Sequence, residues 1–185
     1  GGIKASAEEL EKALSGVVSS NQRMVLSMQL RHINFLDKQI KQIDAKMDML
    51  EQENQSFKEA LELLDSIPGV GTRIAQTIAI EVGLDMSRFP TAKHLAAWAG
   101  MAPGNNESAG KRKPSRTRPG NQHLRSQLVQ AAHVIARMKG TYLADQYHRI
   151  ASRRGKKRAA IAVGHSILII AYHLLKRHES YRELG

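Results

Sequence analysis

The feature that most constrains this chain is an apolar period. Leu26, Ile33, Ile40, Met47, Asn54 and Leu61 recur every seven residues, and Leu36, Ile43, Leu50, Phe57 and Leu64 recur at the complementary position. A 3.5-residue period kept over about five heptads fits a coiled-coil seam. An amphipathic helix lying on its own domain shares the short-range pattern but does not require so strict a period for so long. Asn54 falls at an a position, where a buried amide fixes register and partner number at some cost in stability. The seam therefore predicts a coiled-coil arm over residues 1–65 that joins copies of the chain into a homodimer or higher oligomer. A shorter stretch, Ala7 to Ser19, places Leu10, Leu14, Val17 and Val18 on one side and offers the long helix a second partner.

Beyond the arm, the period is punctuated by helix breakers. Pro68 and Gly69 end the long helix, and Ile74, Ile78 and Val82 mark a new one from about Thr72 to Val82. Thr91 is placed to cap "AKHLAAWA", which Gly100 stops. Leu124, Leu128, Ala131, Ile135 and Met138 mark a helix that Gly140 ends; another follows from about Tyr142 to Ala151, and Ile161, Gly164, Leu168, Ala171 and Leu175 mark the last. No stretch alternates apolar and polar residues well enough to be a strand. The expected fold is all-α: a long coiled-coil helix, then a compact helical domain over residues 66–185 containing a helix-hairpin-helix motif.

At 185 residues and 42% hydrophobic content the chain has enough apolar material to build a core. It has no cysteine, which excludes a disulfide framework, a thiolate zinc site and a cysteine nucleophile. The longest apolar run, Ala159 to Leu175, is interrupted by Gly164, His165, Ser166 and His173. It falls short of the roughly 18 to 20 apolar residues that cross a bilayer, so it reads as a buried core helix and no membrane partner is expected. The opening "GGIKASAEEL" has neither a methionine nor a signal pattern and reads as the start of a fragment.

Charge is distributed unevenly. Residues 1–107 hold 11 Lys+Arg against 14 Asp+Glu, a net −3, whereas residues 108–185 hold 17 against 3, a net +14. An asymmetry of this size calls for a polyanionic partner for the second half, with nucleic acid first and an anionic membrane surface second.

Two stretches concentrate the candidate chemistry. "IPGVGTRIA", residues 67–75, has the proline and paired glycines of a helix-hairpin-helix. Gly69 and Gly71 allow a sharp turn and a close ligand approach, the amides opening the next helix suit a phosphate, and Thr72 and Arg73 are placed to add side-chain contacts. A Pro-Gly between helices also serves as plain connection. "GNNESAGKRKPSRTRPGNQ", residues 104–122, carries Lys111, Arg112, Lys113, Arg116 and Arg118 within eight residues, with Arg125 shortly after. Arg153, Arg154, Lys156, Lys157 and Arg158 form a second cluster. Two basic edges on one body suit phosphate contacts, which give affinity but no sequence choice. Ser108 sits among small residues beside those cations, which would stabilise the charge of an attacked phosphate, although no general base is evident nearby. The eight histidines form no ligand pattern, Tyr172 reads as packing, and nothing singles out Tyr142, Tyr147 or Tyr181 as a nucleophile. The basic half has only Asp145, Glu179 and Glu183 as acids, so paired carboxylates for metal-assisted phosphoryl transfer are missing from it.

"LLDSIPGVGTRIAQTIAIEVG", "FPTAKHLAAWAGMAPGNNESAGKRK" and "RTRPGNQHLRSQLVQAAHVIARMKGTYLADQYHRIASRRGKKRAAIAVGHSILIIAYHLL" resemble the C-terminal part of the insertion-sequence 110/116/902 family of transposases, in order across residues 60–185. The resemblance implies an N-terminal RuvC-like domain whose four acidic residues hold magnesium, a coiled-coil arm for assembly, and a C-terminal domain with a nucleophilic serine. It also implies a guide RNA that pairs with target and donor DNA, and a setting in the bacterial cytoplasm at the nucleoid. The family's serine, followed by small residues and a lysine, matches "ESAGK" at Ser108; Ser115 and Ser126 do not match. By that match Ser108 would attack DNA phosphate and hold the strand as a phosphoserine. The acidic domain is absent from this sequence, so the fragment is expected to bind nucleic acid without recombining it, and to hold no cofactor itself. The rival reading is a non-catalytic helix-hairpin-helix module for nucleic-acid binding and dimerisation.

Overall fold

The computed structural model describes Glu9 and residues 19–102, 107–108, 111–112 and 119–183. Of the expected helical stretch Ala7 to Ser19, all but Glu9 and Ser19 lie outside the described residues. The chain divides into two units, Gly1–Glu53 and Asn54–Gly185.

The first unit is built on helix α1, Ser20–Glu53. A reciprocal capping box starts it: Ser19 Oγ accepts from the Gln22 amide at 3.3 Å, and the Ser19 amide donates to Gln22 Oε1 at 2.8 Å. At 1.5 Å per residue the helix is about 50 Å long. Its seam residues Leu26, Ile33, Leu36, Ile40, Ile43 and Leu50 are 44–63% exposed in the single chain. Helices of this kind draw most of their stability from packing an apolar face.

The seam does not run on through Asn54. That residue is exposed, adopts an extended conformation (φ −121°, ψ 95°), and its side chain accepts from the Phe57 amide as the N-cap of helix α2, Gln55–Asp65. Asparagine is among the best N-cap residues because its short side chain satisfies an orphan helix amide. The expected buried a-position amide is therefore a helix start. Past it, Phe57 is half-buried and Leu61 and Leu64 are buried in the second unit. The end of the heptad pattern is an amphipathic helix on its own domain, and the compact unit begins at Asn54 instead of residue 66.

Helix α3 is Thr72–Val82, a 3-10 turn spans Met86–Arg88, and α4 is Ala92–Trp98. Then come α5, Gln122–Ile135; α6, Tyr142–Arg154; and α7, Lys156–Arg177. The fold is all-α, with seven helices among the described residues. Two paired two-residue segments, β1 (Glu107–Ser108) and β2 (Lys111–Arg112), are its only extended ladder there; sequence alternation did not disclose them.

Helix α7 is the hub, packing against α2, α4, α5 and α6. Its length and composition alone would let it cross a membrane, beyond what the interrupted run indicated, but half of that apolar window is buried against the protein. Gly164 explains how closely α5 approaches it. A Cβ there would lie 2.9 Å from Met101 Cε and 3.3 Å from Leu128 Cβ. Tyr172 is buried, and its hydroxyl donates to the Phe89 carbonyl at 3.0 Å and accepts from Lys176 Nζ at 3.2 Å. After α7 the chain is tied down twice: the Tyr181 amide donates to Ser66 Oγ at 2.9 Å, and Glu183 Oε1 accepts from the Tyr142 amide at 2.5 Å. Burial, with the Glu183 charge beside it, pushes the Tyr181 hydroxyl up to about 12.

Candidate nucleic-acid interface

The α2–α3 turn is anchored by buried Ile67 and Val70. Its two glycines have different reasons for being there. Gly69 has φ +76°, and a Cβ on it would lie 2.5 Å from Ile135 Cγ1 and 3.2 Å from the Ala131 carbonyl, so the turn and its packing on α5 both require glycine. Gly71 has φ −90° and would place a Cβ with nothing within 4 Å. The fold itself makes no demand for glycine at 71. Gly71 is the N-cap of α3 and offers no side-chain cap, while Thr72 and Arg73 are exposed at the helix start. An open groove of about 710 Å³ runs over residues 65–74 and Val134.

Of the second candidate stretch, residues 107–108, 111–112 and 119–122 are described. Within it, β1 and β2 pair antiparallel, with Glu107 opposite Arg112 and Ser108 opposite Lys111. Lys113, Arg116 and Arg118 lie outside the described residues. The feet of the segment are clamped together. A Cβ on Gly120 would run into the Gly100 amide nitrogen and lie 2.5 Å from the Ala99 carbonyl carbon and 2.6 Å from Gly100 Cα.

Asn121 and Glu81 complete the clamp. Asn121 caps α5 by accepting from the Leu124 amide at 2.9 Å, and its Nδ2 donates to Glu81 Oε2 at 2.5 Å. His123 Nδ1 lies 3.0 Å from Glu81 Oε1. The helix that opens at Gly71 thus holds the foot of the Ser108 segment through one carboxylate. Hydrogen bonds from His123 and Asn121 hold the Glu81 carboxyl below its usual value of 4.5. A depressed carboxylate contributes stability at pH values above 4.5 and loses it as pH falls through its folded-state value. The thermal midpoint is therefore expected to drop on acidification below about pH 4.5, and Glu81→Gln to show a shallower drop there; parallel acid profiles for the two proteins would contradict this.

The basic residues fall at helix ends. Arg125 is half-buried in the first turn of α5. Exposed Arg153 and Arg154 close α6, Gly155 turns the chain at φ +83°, and exposed Lys156, Lys157 and Arg158 open α7. Cations suit a helix C-terminus, but three in a first turn with no acid oppose the dipole by about 0.3–1 kcal/mol each at low salt. That arrangement disfavours the free helix and favours an anion at the corner. Among the described residues no group of three or more His, Asp or Glu side chains could hold a metal, so the magnesium implied by resemblance has no donor set there.

Residues 61–148 match the transposase domain of the IS116/IS110/IS902 family. The chain is 30% identical, over 193 aligned positions, to the transposase for insertion sequence element IS1111A of Coxiella burnetii, covering 98% of this chain and 50% of that protein. It is 31% identical to a putative transposase, y4pF/y4sB, of Sinorhizobium fredii over 78% of this chain and 38% of that one. The chain belongs to the IS116/IS110/IS902 transposase family. It is also 29% identical to a pilin gene-inverting protein of Moraxella bovis, over 77% of this chain and 45% of that protein. It spans half or less of the length of each of these three relatives. The matched transposase domain runs from the buried half of α2, through the α2–α3 turn and Ser108, into α6; the cationic corner at α7 lies beyond it. Glu81, Asn121 and Gly120, which tie the transposase domain's two candidate stretches together, were not singled out from sequence. Only the N-cap propensity of Asn121 was there to be read.

Proposed function

We propose that this chain is the DNA-engaging, serine-bearing part of a transposase that recombines an insertion element. The observation that carries this reading is the clamped segment. Ser108 is the register partner of Lys111 on a hairpin whose feet, Gly100 and Gly120, touch and are held by Glu81 from the helix that begins at Gly71. The α2–α3 turn acts as a helix-hairpin-helix: the amides after Gly71 take a backbone phosphate, helped by Thr72 and Arg73. Lys111, Arg112, Lys113, Arg116, Arg118 and Arg125, with the corner Arg153, Arg154, Lys156, Lys157 and Arg158, supply the remaining phosphate contacts. Ser108 then attacks a phosphate within that grip. The general base and any magnesium come from the acidic domain that the resemblance implies, and a guide RNA chooses the site. Two α1 seams pair to bring copies together, consistent with the exposed apolar face.

The grip can be tested with this chain alone. Its affinity for duplex DNA is expected to fall with salt at a log–log slope of about −4 or steeper, corresponding to about five phosphate contacts. Gly71→Ala is expected to leave stability within about 0.5 kcal/mol, because its Cβ meets nothing, while weakening DNA binding. A flat salt response would remove the nucleic-acid reading and leave an assembly module. A Gly71→Ala protein with unchanged affinity would remove the turn from the interface.

A further inference from the structure

Trp98 is the only tryptophan in the chain and is 43% exposed at the last turn of α4. The core does not account for it. It belongs neither to the buried cluster nor to the apolar residues packed on that cluster, and its ring contact is with Phe89, tilted by 58° at 5.7 Å. That contact steadies the indole while leaving much of it in water. The two residues that follow, Ala99 and Gly100, are those against which Gly120 packs, so Trp98 stands at the foot of the Ser108 segment. Arg88, Lys93 and His94 are exposed on the segment that carries it, and the acid nearest in sequence, Asp85, caps the preceding turn beside Arg88.

An exposed π-face flanked in sequence by exposed cations fits a strand that offers both phosphate and an accessible base. In a duplex the base faces are stacked on one another, whereas an unpaired base presents one. We propose that Trp98 is a stacking platform for an unpaired base of a single-stranded stretch of nucleic acid held at the foot of the Ser108 segment. The inference rests on the nucleic-acid reading above and adds to it a preference for opened over paired strands. Base–aromatic stacking tolerates any base, so the platform selects strand state and not sequence.

The lone tryptophan makes the test direct. Titrating the wild-type chain with a short oligothymidylate is expected to quench indole emission in step with binding followed by anisotropy of a dye on the oligonucleotide. A duplex of the same length is expected to bind without quenching. Trp98→Ala is expected to weaken single-strand binding about tenfold and leave duplex binding unchanged, with Trp98→Phe falling between. Circular dichroism melting checks that both variants fold, and the wild-type titration needs no variant. Single-strand binding with unaltered emission, or equal weakening for both strand states in Trp98→Ala, would overturn the platform and leave the phosphate grip standing. If neither strand state binds, the nucleic-acid reading falls and takes the platform with it.

Discussion

Ser108→Ala is expected to leave nucleic-acid binding intact and to remove covalent chemistry altogether. The proposed step forms a bond between Ser108 Oγ and a backbone phosphorus and breaks the bond from that phosphorus to one deoxyribose oxygen. The serine proton passes to a base outside this chain, and the departing oxygen leaves as a hydroxyl after taking up a proton. Alanine removes the only atom that can make the new bond, while the cations that hold phosphate remain. The measurement uses a longer protein in which this chain is joined to the acidic domain, supplied with guide RNA, magnesium and a nicked DNA that traps the intermediate. Mass spectrometry is expected to find a nucleotide adduct on the peptide containing Ser108, absent in Ser108→Ala. Recombination that persists in Ser108→Ala, with no adduct in either protein, would leave the chain as a binding and assembly module.

Gly120→Ala is expected to damage the compact unit severely. The new Cβ would meet backbone atoms of Ala99 and Gly100 within 2.6 Å. Backbone cannot step aside as the end of a side chain can, so the cost lies at the upper end of overpacking, about 3 kcal/mol. Relief requires the two feet to separate, which also displaces Asn121 from Glu81. Urea unfolding is expected to show a lowered midpoint, and the adduct yield at Ser108 is expected to fall even at temperatures where the variant stays folded. A variant as stable as wild type would mean that the feet do not touch. For the unfolding midpoint alone, Gly71→Ala serves as the matched control, the same chemical change at a glycine with open space around it.

Helix order was legible because each start and stop has a local cause. Thr91, Gly100 and Gly140 are readable as punctuation, although the Thr91 hydroxyl pairs with His94 Nδ1 and caps no amide, and the helices between them lie close to where their apolar spacing puts them. The end of the arm was not legible, since Phe57, Leu61 and Leu64 stay in phase with the seam and both a coiled coil and a core-facing helix place apolar residues three and four apart. Asn54 is favourable both as a seam amide and as a helix cap, and only the surrounding packing chooses the cap. Gly69 was legible as a turn residue, but the role of Ile135 in enforcing it was not, because that contact joins positions far apart in sequence. The same holds for Glu81 with Asn121, and for the surface position of Trp98. Charge clustering was written plainly, whereas the clamp that organises part of it depends on contacts no local pattern encodes.

The hub position of α7 has a consequence for how the protein is made. A ribosome emits α2, α4, α5 and α6 before the helix that buries their apolar faces, and α7 takes its place only after they have left the exit tunnel. The nascent chain therefore carries Leu64, Leu95, Leu128 and Leu143 without their final cover while synthesis proceeds at about 5–20 residues per second. The residues that brace the α2–α3 turn, through Tyr181 on Ser66, are translated later still. A message cut short before α7 would yield a product lacking both the hub and the brace.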